Sequence, residues 1–335
     1  ADIVVGTHAL FSDDVTFADL ALAVVDEQHR FGVEQRDELR HTATGATHML
    51  HMTATPIPRT IALTVFGDLD TSVLQQLPHG RAGVHTYRVR EDNPTWMERM
   101  YARLGEEIAN GGRVFVVCAR IDPTEAAGDD TRQLHTVAEM VDHLHAQPPL
   151  ADATIGMLHG RMKPEEKDRV MADFIAGSTQ ILVSTTVIEV GVDVPSATAM
   201  VIWDADRFGL AQLHQLRGRI GRGVHPGICF VIDPGSTTGG IAVKRLETFT
   251  STTDGFALAE ADVELRREGD VLGAQQSGFR SGLRVLSALR DGDIIASARR
   301  AAGEIVTKDP TLASYPALAA AVQTLSDAGD YLERT

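Results

Sequence analysis

Short, mainly apolar stretches recur along the chain at residues 2–5, 20–25, 48–52, 114–118, 154–158, 180–184, 199–203 and 228–232, and a more mixed one at 84–89. Each is four to six residues long and reads as a strand. Between several of them lie longer polar or amphipathic stretches, at 32–40, 95–109, 137–145 and 164–176, that read as helices. Strands without an interleaved polar face belong to a parallel sheet covered on both sides. Their alternation with helices predicts an α/β architecture. Beyond residue 240 the pattern changes to helices alone, at 241–250, 257–266, 282–289, 294–306 and 317–325. Two turn clusters, Pro78-His79-Gly80-Arg81 and Pro234-Gly235-Ser236-Thr237-Thr238-Gly239-Gly240, mark the boundaries. The expected division is 1–81, 82–240 and 241–335. No internal repeat is visible.

Composition narrows this only modestly. The chain has 335 residues, 43% hydrophobic and 23% charged, an ordinary globular balance. No apolar run approaches the ~18–20 residues of a membrane span. The start has no basic segment leading into an apolar core, so no signal peptide is expected. Cys118 and Cys229 both sit in apolar strand-like runs, as buried reduced thiols of a cytoplasmic protein would. The net charge of −15 argues against an indiscriminate nucleic-acid binder but allows a local basic track. The four lysines (Lys163, Lys167, Lys244 and Lys308) are none of them part of a Gly-Lys-Ser/Thr phosphate loop. The chain also opens within an apolar run, Asp2-Ile3-Val4-Val5, which reads as a segment of something longer.

Candidate chemistry gathers at the ends of the apolar runs. Asp26 and Glu27 follow one strand. Such a pair either begins a helix or holds Mg²⁺ through one carboxylate while the other orients or deprotonates a water. Thr53-Ala54-Thr55-Pro56 follows the next strand and is either a plain turn or a pair of hydroxyls near a nucleotide. Ser184, Thr185 and Thr186 lead into Gly191, where hydroxyls and exposed amides can meet phosphate without net positive charge. In Gln212-Leu-His-Gln-Leu-Arg-Gly-Arg-Ile-Gly-Arg222, Arg219 and Arg222 are three apart, and on a helical turn they would share a face. They are either an ion-paired surface or a fork for an anion with several oxygens. His159-Gly160-Arg161-Met162 could touch DNA or simply start a helix. For Arg207-Phe208, the choice is between a DNA contact and a core phenylalanine beside an ion-paired arginine.

The order and spacing of these pieces resemble a superfamily 2 helicase motor. The runs Asp-Glu-Gln-His-Arg-Phe-Gly-Val-Glu-Gln-Arg (26–36) and Thr-Ala-Thr-Pro-Ile-Pro-Arg-Thr (53–60) resemble the bacterial RecG branch-migrating DNA helicases. The transcription-repair coupling factor shares the second run. Phe66-Gly67-Asp68-Leu69-Asp70 and Leu77-Pro78-His79-Gly80-Arg81 are closer to RecG. The resemblance covers nearly the whole chain and weakens after about residue 290.

The resemblance implies two RecA-like lobes, the first incomplete here, followed by a helical translocation region. It implies ATP and Mg²⁺ as cofactors. Asp26 and Glu27 would handle the metal and water, with His29 coupling that site to the second lobe. Thr53 and Thr55 would sense the nucleotide, and Gly6-Thr7-His8 would contact DNA. Thr185 and Thr186 would touch DNA phosphate, with Gly191 and Asp193 near the nucleotide. Gln215, Arg219 and Arg222 would bind it from the second lobe, Arg222 as the arginine finger. Arg266 and Gln276 would couple nucleotide state to movement. Near Arg267-Glu268 the chain departs from the family's usual Gly-Pro. The implied partners are branched DNA (forks and Holliday junctions) and single-stranded-DNA-binding protein, for a monomer with no membrane attachment. Two other readings compete: a transcription-repair coupling translocase, and a non-catalytic interaction module. Intact Asp26, Glu27, Arg219 and Arg222 disfavour the second.

Overall fold

The computed structural model describes residues 2–11, 15–26, 47–53, 72–74, 82–119, 135–186, 194–235, 240–272 and 291–332. Its centre is a sheet of six parallel strands: β3 (Val84–Arg90), β4 (Arg113–Val117), β5 (Ile155–Leu158), β6 (Ile181–Ser184), β7 (Ala197–Ile202) and β8 (Gly227–Asp233). Their order across the sheet is β3-β8-β7-β4-β6-β5. Two further strands, β1 (Leu22–Val25) and β2 (His48–His51), pair in parallel as a separate sheet.

Successive side chains of a strand point to opposite faces, and both faces of the large sheet are covered. Phe115, Val117, Leu182, Met200, Ile202 and Val231 face one side. They pack on helices α3 (Pro164–Ala176), α4 (Leu210–Arg217), α5 (Gly240–Ser251) and α6 (Gly255–Leu272) through residues such as Phe174, Leu213, Phe249 and Leu258. Val114, Val116, Ile181, Val183, Val201 and Ile232 face the other side. There they meet α1 (Pro94–Ala109) and α2 (Val137–His145) through Met100, Leu104, Met140 and Leu144. Burial on both faces accounts for the uninterrupted apolar runs. Helix starts are set locally. The Asn93 side chain accepts from the Trp96 amide, with Pro94 opening α1. Thr136 and Glu139 cap α2 reciprocally. Gly177, at φ +89°, ends α3 in the left-handed region.

Nearly every expected strand and helix within the described residues is present, with ends shifted by a few positions. The exception is 2–5, which forms no strand. Ile3 and Val5 are largely exposed, and no described strand lies beside them to pair their backbone. The expected helices at 32–40 and 282–289 lie outside the described residues. Where the family's Gly-Pro is replaced, α6 continues through Arg267 and Glu268 to Leu272, since neither residue interrupts the helical ladder as proline would. Two more helices follow, α7 (Gly292–Lys308) and α8 (Pro316–Leu332). Among the described residues no helix is long and apolar enough to cross a membrane.

Candidate active site

Parallel sheets present functional groups at the carboxyl ends of their strands, and both sheets do so here. Val25 on β1 pairs with His51 on β2, and the Met52 amide donates to the Val25 carbonyl at 2.8 Å. Asp26 and Thr53 therefore emerge side by side at one edge, both exposed. At the opposite end Thr47 Oγ1 donates to the Leu20 carbonyl at 2.8 Å and fixes the register. A carboxylate and a hydroxyl are the hard oxygen donors that suit Mg²⁺ with its retained waters. Glu27, His29 and Thr55 lie outside the described residues. Gly6 and Thr7 are exposed ahead of a 3₁₀ turn (His8–Phe11), which opens with the Leu10 amide donating to the Thr7 carbonyl at 3.0 Å. The His8 side chain lies outside the described residues.

In the large sheet, Thr185 follows β6 with its amide donating to the Leu158 carbonyl of β5 at 3.3 Å. It is buried, and Thr186 beside it is half-buried. Gly191 and Asp193 lie outside the described residues. Helix α4 drives Leu210, Leu213 and Leu216 into the core and keeps Gln215 half-buried. The helix stops at Arg217. A tight turn follows, in which the Arg219 amide donates to Leu216 O at 2.9 Å and the Ile220 amide to Arg217 O at 3.3 Å. Gly221 then takes φ +66°; a Cβ there would sit 2.8 Å from Val84 Cγ2 and 2.9 Å from the Gly83 carbonyl. Only glycine fits both the angle and the space.

This corrects the expectation that Arg219 and Arg222 share a helical face. Arg219 lies in the turn, and Arg222 lies beyond a left-handed glycine. What aims Arg222 is a hydrogen bond from its Nε to the Gly218 carbonyl, 2.9 Å, at the negative end of α4.

Sequence reasoning missed a polar cluster at the carboxyl ends of β3 and β7. His135 Nδ1 lies 3.4 Å from Asp204 Oδ2 and its Nε2 3.3 Å from Glu91 Oε1. Its backbone amide donates to the same Asp204 oxygen at 3.0 Å. Hydrogen bonding to Asp204 and then to Glu91 raises the imidazole to about 9, so it is held as a cation. Asp204 itself adopts φ +49° and turns the chain from β7 toward α4. Trp203 lies between the rings of His135, tilted at 4.7 Å, and His143, edge-on at 5.6 Å, and Tyr101 Oη lies 2.7 Å from His143 Nε2. Burial lowers the His143 pKa. No sequence signal joined residues 91, 135 and 204, which are far apart in the chain. Nearby, Phe208 is buried and Arg207 Nε lies 3.6 Å from Asp206, so the plain reading of that pair holds. Helix α6 carries Arg266, whose side chain lies outside the described residues, as does all of Gln276.

Comparison with known proteins places this geometry. Residues 97–224 match the helicase conserved C-terminal domain family. Residues 252–328 match the C-terminal part of domain 3 of the ATP-dependent DNA helicase RecG. RecG from Mycobacterium tuberculosis is 49% identical over 346 residues, covering 99% of this chain and 45% of that protein. RecG from Bacillus subtilis is 45% identical over 309 residues, covering 92% and 43%. The chain belongs to the RecG helicase family. It spans less than half the length of these relatives and corresponds to their C-terminal portion. A structure of RecG bound to a three-way DNA junction has 40% sequence identity and a TM-score of 0.61, covering 88% of this chain and 36% of that one. A yeast Dbp5 variant bound to RNA and ADP BeF3 is 16% identical with a TM-score of 0.50, a likeness of fold alone. The six-stranded unit is thus a RecA-like helicase lobe followed by C-terminal helices.

Proposed function

We propose that the chain supplies the second motor lobe, part of the first, and the translocation helices of an ATP-driven machine that moves on duplex DNA and remodels forks and Holliday junctions. Residues 1–81, 82–240 and 241–335 are the corresponding units. The observation carrying this reading is the edge geometry. Asp26 and Thr53 stand together at the carboxyl edge of the small sheet and Thr185 and Thr186 at that of the large one, while the glycine-shaped Arg219–Arg222 turn stands at the amino ends of β3, β7 and β8. The junction-bound relative supports branched DNA as the substrate class.

In this reading Asp26, with Glu27, holds Mg²⁺, which neutralises charge on the nucleotide phosphates. Glu27 orients or deprotonates the attacking water. Gly191, Asp193, Gln215 and Arg219 contact the nucleotide, and Arg222 stabilises charge developing on the transferred phosphoryl group. His29, Thr53 and Thr55 pass the nucleotide's state to the other lobe, and Arg266 and Gln276 pass it to the duplex. Gly6, Thr7, His8, Thr185 and Thr186 hold DNA phosphates. Because the chain contains no Gly-Lys-Ser/Thr loop, these 335 residues alone are expected to hydrolyse little ATP. Robust DNA-stimulated hydrolysis by the purified chain, lost on Glu27→Gln, would overturn that expectation. In the full-length protein, Arg222→Ala is expected to slow hydrolysis by about 10³-fold or more. An unchanged rate removes the finger assignment.

A further inference from the structure

Strand β7 breaks the alternation of its own side chains at its second residue. Arg113 of β4 pairs with Ala197, but the next residue, Val114, pairs with Ala199, so Thr198 is an extra residue in the ladder. Ala199 and Val201 pack on the side of α1 and α2, and Met200 and Ile202 on the other. Regular alternation would put Ala197 on the side of Ala199. It packs instead with Met200 and Ile202, because the bulge turns it over. The Ala197 carbonyl accepts the amide of Gly221 at 3.3 Å. The Pro195 carbonyl lies so close to Gly223 that a Cβ there would come within 2.7 Å of it. Residues 195–197 are thus the seat on which the arginine turn rests.

The bulge is held by a buried carboxylate. Thr198 Oγ1 donates to Glu107 Oε2 at 2.5 Å, and both residues are at most 9% exposed. Arg103, one turn earlier on α1, pairs with the other Glu107 oxygen. The Gly112 amide donates to the Glu107 carbonyl at 2.8 Å, and the Arg113 amide donates to the Ser196 carbonyl at 2.9 Å. A Cβ at Gly112 would lie 2.3 Å from Thr198 Oγ1, so only glycine lets the hydroxyl reach the carboxylate. Buried ion pairs can often be exchanged for apolar side chains without loss of stability. What this one specifies is geometry: with Oε2 bonded to Thr198, the bulge has one register.

We propose that Glu107 and Thr198 are positioning residues for the arginine turn. The carboxylate fixes the bulge, the bulge aims the Ala197 carbonyl, and that carbonyl fixes Gly221 one residue before Arg222. Both side chains are buried and act only through the turn. The consequence for hydrolysis rests on the finger reading of Arg222; the placement of the turn does not.

The test is a double-mutant cycle in the full-length protein, read as kcat and KM for DNA-stimulated ATP hydrolysis. Thr198→Val keeps the shape and removes the hydroxyl. It is expected to lower kcat about tenfold with KM within about twofold, since a finger aimed at developing charge is felt in the transition state. Thr198→Ser restores the bond and is expected to keep most of kcat. In an Arg222→Ala background, Thr198→Val is expected to cost less than about twofold more, because both substitutions remove one shared contribution. Glu107→Gln, whose neutral amide holds the hydroxyl less firmly, is expected to follow the same cycle and judges the proposal if Thr198→Val does not fold. The proposal is overturned if kcat is unchanged, or if Thr198→Ser falls as far as Thr198→Val. It is also overturned if the loss is the same factor in both backgrounds, as general destabilisation would give. If Arg222→Ala alone hydrolyses at the wild-type rate, the finger reading fails instead, and hydrogen exchange of the full-length protein judges the placement. Faster exchange at 218–223 in Thr198→Val, with β4 and β8 still protected, supports it; unchanged exchange there overturns it.

Discussion

The two sheets are built from the same kind of strand and end differently. In the six-stranded sheet Val116, Leu182 and Val201 are at most 1% exposed. In the β1–β2 pair Leu22, Val24 and Leu50 are 56%, 52% and 50% exposed. Residue type and parallel pairing are alike; among the described residues only the larger sheet has helices on both faces. An apolar strand residue contributes through what covers it rather than through intrinsic preference. Yet both sheets carry candidate functional groups at the carboxyl edge. Backbone direction therefore sets where Asp26, Thr53 and Thr185 are presented, and covering layers set how firmly they are held.

That contrast can be broken most forcefully at its centre. Val116→Asp places an unpaired carboxylate in a dry core and is expected to cost several kcal/mol, enough to unfold the large sheet. Val24→Asp is expected to stay within about 0.5 kcal/mol. Denaturant titration of both variants decides the point, and equal losses would end the distinction. Next in size, Leu213→Ala removes a fully buried side chain beneath the arginine turn and is expected to cost about 2–5 kcal/mol.

A smaller effect comes from His135. Its pKa is raised in the folded chain, so its contribution is complete below the ordinary value of 6.5 and is lost as pH rises through about 9. The loss is on the order of 1 kcal/mol once solvent screening is discounted. Melting between pH 6 and 10 should show it, and His135→Gln should flatten that dependence. Trp203 fluorescence offers a second view, since the indole lies against that imidazole. The smallest signal concerns the thiols. Burial pushes Cys229 up to about 12 and Cys118 upward as well, so both should resist alkylation at pH 8 until the large sheet opens. Modification of the native chain at the rate of a free thiol would contradict their burial.

The sequence made the α/β architecture legible because burial on both faces leaves uninterrupted apolar runs, and because Pro94, Thr136 and Gly177 punctuate the helices locally. It misled at 2–5, where an apolar run finds no described strand to pair with. It put Arg219 and Arg222 on one helical face, but spacing of three implies a helix only while the helix lasts. The helix stops at Arg217, and Gly221, crowded by Val84 and Gly83, turns the chain again before Arg222. The Glu91–His135–Asp204 cluster had no local signature because the topology of three separate elements assembles it.

The central claim is that the Arg219–Arg222 turn serves a motor driven by branched DNA. The most direct measurement is ATP hydrolysis by the full-length protein on forked, linear and no DNA, with Arg222→Ala alongside. The account predicts strong stimulation by forks, weaker stimulation by linear duplex, and loss of hydrolysis in the variant. Equal rates on every DNA would contradict the substrate and raise the transcription-repair reading. An unaffected variant would contradict the role of the turn itself.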